Sequence, residues 1–160
     1  GQKTESALKA IFKELDPSSI QQMALRKQSL AREILNKTTK SSIIIPGVDQ
    51  FLQWAHAEFT MIIASSASRM TLELTIEKLG YNKFFDSITC GDEVVEAKPS
   101  PEIFTKALSK TSYQKAEAVI FEDSQSGIDA AIASGISCID IREHSFLKMN
   151  HLIQDYESEG

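Results

Sequence analysis

Five positions carry the chemistry open to this chain: Ser66, Ala67, Lys98, Glu122 and Asp123. Glu122 and Asp123 are adjacent acids at the end of the apolar run 118–121, and Ser124-Gln125-Ser126-Gly127 follows them. A buried strand that stops at acids delivers carboxylates to the carboxyl edge of a parallel sheet, where open α/β folds bind ligands. Such oxygens suit magnesium, which prefers oxygen donors and keeps several waters. The plainer alternative makes Asp123 the cap of the next helix and leaves Glu122 in solvent. Ser124 or Ser126 can cap equally well, so no acid is needed merely to start that helix. Lys98 precedes Pro99-Ser100-Pro101, and proline restricts the residue before it to extended backbone, which helps fix where the ammonium points. A point charge there suits a phosphoryl oxygen or neutralises an acidic nucleophile. Against this, a lone Lys-Pro is more often a surface lysine ahead of a helix. Two nearby prolines can also serve proline-reading modules, but Pro101 is better explained as a helix start. The hydroxyl of Ser66 and backbone donors beside it, at Ala67, can hold a phosphate oxygen, or Ser66 can simply cap the helix approached at Thr71. Hydroxyl, lysine and acid pair, each at a strand-to-helix loop, together point to a phosphate-plus-metal site.

The elements that must position these groups alternate along the chain. Residues 5–37 have helical spacing, with Leu8, Ile11, Phe12 and Leu15 on one stripe, an interruption at Pro17, and a second helix capped by Ser18 or Ser19. Residues 38–42 are polar and have the look of a linker. Beyond them, strands are expected over 59–64, 84–90, 118–121 and 136–141, and helices over 48–55, 72–79, 101–109 and 126–134, with Gly80 and Gly135 as stops. Strands alternating with helices predict a parallel sheet with flanking helices, an α/β fold of the Rossmann-like kind.

Composition narrows the function classes. The chain has 160 residues, 42% of them hydrophobic and 24% charged, as in an ordinary globular domain with a real core. Its net charge of -5 argues against a nucleic-acid surface, since phosphate backbones select basic patches. No apolar stretch reaches the roughly 20 residues that span a bilayer, and no secretory signal is visible. Cys90 and Cys138 are read as free thiols behaving as small hydrophobes, which implies a reducing cytoplasm. His56, His144 and His151 show no metal-ligand spacing.

Three phrases carry a family resemblance: Phe84-Phe85-Asp86, Lys98-Pro99-Ser100-Pro101-Glu102-Ile103-Phe104, and Phe121-Glu122-Asp123-Ser124-Gln125-Ser126-Gly127-Ile128-Asp129-Ala130-Ala131. With the serine loop at Ser66, they make the chain resemble the haloacid dehalogenase superfamily of phosphohydrolases, in its β-phosphoglucomutase-like branch. The resemblance implies that Ser66 and Ala67 bind the transferring phosphoryl group, that Lys98 steadies nucleophile and phosphate, and that Glu122 and Asp123 help hold Mg2+. It implies a small phosphorylated metabolite, such as a sugar phosphate, as substrate. It also divides the chain into a partial helical cap over residues 1–42 and an α/β core over residues 43–160 that lacks its first strand.

The family's reaction needs a nucleophilic aspartate in an Asp-x-Asp motif at the end of the first strand. Asp16, Asp49, Asp86, Asp92, Asp129, Asp140 and Asp155 all lack that pattern. The expectation is therefore an N-terminally incomplete chain, inactive alone, with unpaired core edges that invite association into a homodimer. A non-catalytic relic that binds phosphate or a protein partner is the alternative from another class. A sugar phosphomutase is weaker, because Thr4 and Met70 stand near positions where that pattern has an arginine and an asparagine.

Overall fold

The structure, a computed structural model, describes residues 4–143, 146 and 148–150. Two helices come first, α1 (Thr4–Ile11) and α2 (Pro17–Lys37). Proline opens α2 because a first-turn N–H has no intrahelical partner to lose. The cap differs from expectation. Asp16 holds the N-terminus, accepting from the amides of Ser18 and Ser19 and from both hydroxyls. A carboxylate takes several donors at once, so the serines donate to it and do not cap. Ile20 and Ala24 are the buried residues of α2, while Ile11, Leu25 and Ile34 stay exposed. The pair therefore forms no core of its own. It leans on the rest of the chain through Lys78, whose ammonium binds the carbonyls of Leu35 and Asn36.

From residue 48 the chain alternates: α3 (Val48–Glu58), β1 (Ile62–Ser65), α4 (Arg69–Leu79), β2 (Ser87–Cys90), α5 (Glu102–Leu108), β3 (Val119–Glu122), α6 (Gln125–Ser134) and β4 (Ser137–Asp140). β1, β2 and β4 are shorter than their expected runs, because the flanking residues turn into loops, and β3 keeps its length but is shifted by one residue. Gly80 and Gly135 end α4 and α6 with φ of 70° and 71°, left-handed values that glycine adopts without a Cβ penalty.

All strand pairing is parallel, and it falls into two pairs. β1 pairs with β2 from Ile62↔Ser87 to Ser65↔Cys90. β3 pairs with β4 from Val119↔Ser137 to Glu122↔Asp140. The two pairs nonetheless belong to one layer, because both feed the same two cores. On one face Ile63, Ile88 and Phe121 pack with Phe51, Leu52 and Ala55 of α3 and Ile76 of α4. On the other, Ala64, Ile120 and Cys138 pack with Ile103 and Phe104 of α5 and Ala130 and Ala131 of α6. Consecutive residues of a strand point to opposite faces, which is why Ile63 and Ala64 part company, as do Ile120 and Phe121. The result is a three-layer α/β/α sandwich. Cys90 and Cys138 are both free thiols, as expected.

Candidate functional site

The carboxyl ends of β1 and β3 meet at Lys98. Its ammonium lies 2.6 Å from Glu122 Oε2 and 3.4 Å from the carbonyl of Ala64. Lys98 is 5% exposed and Glu122 8%, so the surface reading of this lysine does not hold. Lys98 Nζ lies 4.6 Å from the ring centroid of Phe104 on α5, a cation–π contact that helps offset desolvation. The Lys98–Pro99 peptide bond is cis.

Glu122 is held from the other side as well. Its Oε1 accepts from the amides of Asp123 and Ser124 and from the Ser124 hydroxyl at 2.8 Å. Burial pushes its carboxyl pKa up, but the bonds from Lys98 and Ser124 outweigh this and hold it well below the ordinary range. Gly127 makes the enclosure possible. A Cβ there would lie 2.1 Å from Glu122 Cδ, so only glycine lets the first turn of α6 close over the carboxylate. Ser124 caps α6, its hydroxyl accepting from the Gly127 amide at 3.1 Å.

Capping by Ser124 removes the alternative role for Asp123. Its side chain is exposed and accepts no hydrogen bond among the described residues, while Glu122 beside it is enclosed. The two acids therefore differ in kind. Glu122 is the counter-ion of Lys98, with both oxygens engaged by protein donors. Asp123 keeps its oxygens in solvent. No cluster of three or more metal-binding side chains exists among the described residues. One carboxylate suits magnesium only as a shared ion, completed by waters and a substrate phosphate.

Ser66 reaches the same rim from β1, two residues past the carbonyl that Lys98 touches. Ser68, not Ser66, caps α4. That leaves the Ser66 hydroxyl without a partner among the described residues. Its loop is pressed against the turn after β2: the Gly91 amide donates to the Ala67 carbonyl at 2.9 Å, and a Cβ on Gly91 would meet the Ser66 carbonyl at 2.4 Å. The Ala67 amide is not free, since it donates to Ser65 Oγ at 3.2 Å. An incoming oxyanion would have to take that donor from Ser65.

Sequence reasoning missed Phe104, Gly91 and Gly127. Phe104 looks like ordinary helix filling along the chain. Gly127 had a faint signal, a glycine in the first turn of a helix, where it lowers helix propensity without capping anything.

The sequence of residues 2–141 matches a known family, described as haloacid dehalogenase-like hydrolase. The chain belongs to that family. It is 29% identical over 129 residues to the Escherichia coli fructose-1-phosphate phosphatase YqaB, covering 81% of this chain and 65% of that protein. It is 33% identical over 95 residues to a phosphorylated carbohydrates phosphatase of Thermotoga maritima, covering 59% of this chain and 44% of that one. The chain thus spans about two thirds or less of these curated relatives. Among solved structures, CbbY from Rhodobacter sphaeroides in complex with phosphate superposes with a TM-score of 0.77 at 24% identity, over 88% of this chain and 65% of that one. The β-phosphoglucomutase of Clostridium difficile gives 0.77 at 18%, over 98% and 79%. These two likenesses concern the fold alone.

Proposed function

We propose that this chain is the phosphate-binding part of a magnesium-dependent phosphatase acting on small phosphorylated metabolites, sugar phosphates foremost. The observation that carries the reading is the buried Lys98–Glu122 pair at the rim where β1 and β3 end. A buried charge pair adds little stability over a well-packed apolar one, so its placement at a ligand-binding edge points to function. The two curated relatives are named as sugar-phosphate and phosphorylated-carbohydrate phosphatases, which supports the substrate class.

In this reading the Ser66 hydroxyl and the Ala67 amide hold phosphoryl oxygens. Lys98 neutralises charge on the phosphoryl group, and Glu122 with Ser124 keeps the ammonium aimed. Asp123 contributes one oxygen to Mg2+, which when bound offsets phosphate charge. The acceptor aspartate is not among the residues of this chain in its Asp-x-Asp setting, so the chain by itself binds without turning over. Residues 1–42 act as a partial cap over a core formed by residues 43–160. A cleft of about 330 Å³ between α2 and α4, lined by Ile34, Leu35, Thr71 and Leu74, supports a pocket at that boundary. No helix of the described residues is long and apolar enough to cross a membrane, and the two free thiols favour the cytoplasm.

The test is calorimetric titration with orthophosphate, with and without magnesium. Saturable binding that strengthens with magnesium, and weakens in Ser66→Ala and Asp123→Asn, is expected. Binding unchanged in both variants would overturn the reading.

A further inference from the structure

The loop that carries Ser66 runs from Ser65, the last residue of β1, to Arg69, the first of α4. Its own side chains do little to fix its shape. Ser68 is occupied with the Thr71 amide, and the Ser66 hydroxyl has no partner among the described residues. The loop is held instead by the turn after β2, Gly91–Glu93. The Gly91 amide donates to the Ala67 carbonyl at 2.9 Å. Asp92 Oδ2 accepts from the Arg69 amide at 2.7 Å. Glu93 Oε1 accepts from the Arg69 guanidinium at 2.6 Å. The two carboxylates differ in what else they hold. Glu93 also accepts from the Cys90 amide at 3.0 Å, closing its own turn, and its second oxygen accepts from Lys110. Asp92 is exposed and directs its carboxylate across to α4. A first-turn amide has no intrahelical acceptor, so the Arg69 N–H can take one from another segment, and a carboxylate there also suits the helix dipole.

We infer that Asp92 is a positioning residue for phosphate binding. By holding the Arg69 amide it sets the backbone of the Ser66–Ala67 loop, and through that backbone it aims the Ser66 hydroxyl and the Ala67 amide at a phosphoryl group. The inference rests on the reading of those two groups as phosphate donors. Asp92 itself does not touch phosphate. Its charge opposes an anion bound nearby, while its oxygen supports the loop that binds the anion. The two effects have opposite signs and can be separated. Asp92→Asn keeps an acceptor oxygen for the Arg69 amide and removes the charge. Asp92→Ala removes both.

The test combines calorimetric titration with orthophosphate, in the presence of magnesium, with hydrogen exchange in the absence of phosphate. Asp92→Ala should weaken phosphate binding about five- to tenfold, and Asp92→Asn should bind at least as tightly as wild type. On a Ser66→Ala background, Asp92→Ala should cost no more than about a further twofold, because both changes act through the same hydroxyl. Without phosphate, the Arg69 amide should exchange at least about tenfold faster in Asp92→Ala and stay protected in Asp92→Asn. Four results would each overturn the assignment: Asp92→Ala binding like wild type, Asp92→Asn losing as much as Asp92→Ala, losses that multiply in the double variant, or Arg69 exchange indifferent to Asp92. Failure of the wild-type chain to bind orthophosphate would instead overturn the phosphate reading of Ser66 and Ala67. The role of Asp92 would fall with it, and faster Arg69 exchange in Asp92→Ala would then mark a structural contact only.

Discussion

Lys98 Nζ stands 2.6 Å from Glu122 Oε2 on β3 and 3.4 Å from the Ala64 carbonyl on β1, linking two strands that are not paired with each other among the described residues. Removing one partner leaves an uncompensated charge in a closed site. Glu122→Gln and Lys98→Met should each cost about 3–5 kcal/mol in urea unfolding. Lys98→Met combined with Glu122→Leu should recover most of that loss, because the pair is held for function and contributes little net stability. A double variant as unstable as the sum of the single ones would contradict this.

Acid should unfold the chain in a defined window. Glu122 is held down to about 2 in spite of burial, and Glu93 is held to about 2 by the Lys110 ammonium first and the Cys90 amide next. Both folded values lie below the ordinary glutamate value of 4.5. Their stabilisation is therefore complete above that value and is lost as pH falls through about 2. The urea midpoint should stay level from neutrality to mild acid and then drop. Glu93→Gln should remove part of the drop. A variant that keeps the full slope would show that other groups cause it.

Two glycines test how closely the site is built. Gly127→Ala drives a Cβ into Glu122, and Gly91→Ala drives one into the Ser66 carbonyl. Each should cost about 1–3 kcal/mol by overpacking. Each should also weaken phosphate binding, although neither glycine is proposed to touch phosphate. Variants with wild-type thermal midpoints would show that these contacts relax freely.

Capping separates the neighbours Asp123 and Ser124. Ser124→Ala removes the α6 cap and a bond to Glu122, and should cost about 0.5–2 kcal/mol. Asp123→Ala should change stability by no more than about 0.5 kcal/mol. Thermal unfolding of the two variants reads the difference directly; the opposite ranking would make Asp123 the structural acid.

Much of this was legible in the chain because it is local. Apolar runs located four strands, glycines marked the ends of α4 and α6, and the order of serine, lysine and acids followed from strand-to-helix loops. What stayed hidden depends on side chains meeting across the fold. Two adjacent acids look equivalent until one turns under α6 and the other does not, so Glu122 and Asp123 could not be told apart. The Asp16 cap was overlooked because Ser18 and Ser19 satisfy the same rule. The network around Glu93, with Arg69, Lys106 and Lys110 converging on a single turn, joins residues far apart in sequence and has no local signature. Strand ends were displaced by a few residues because an apolar run does not record where the ladder stops.

The ammonium of Lys98 is where the account stands most exposed, since a shared oxyanion must be felt there. Its side-chain resonance, followed by NMR while orthophosphate and magnesium are added, is the direct test. A saturable shift that is diminished in Ser66→Ala and in Asp123→Asn is the predicted result. A resonance that stays still while phosphate binds elsewhere would contradict the convergence of these three residues on one site.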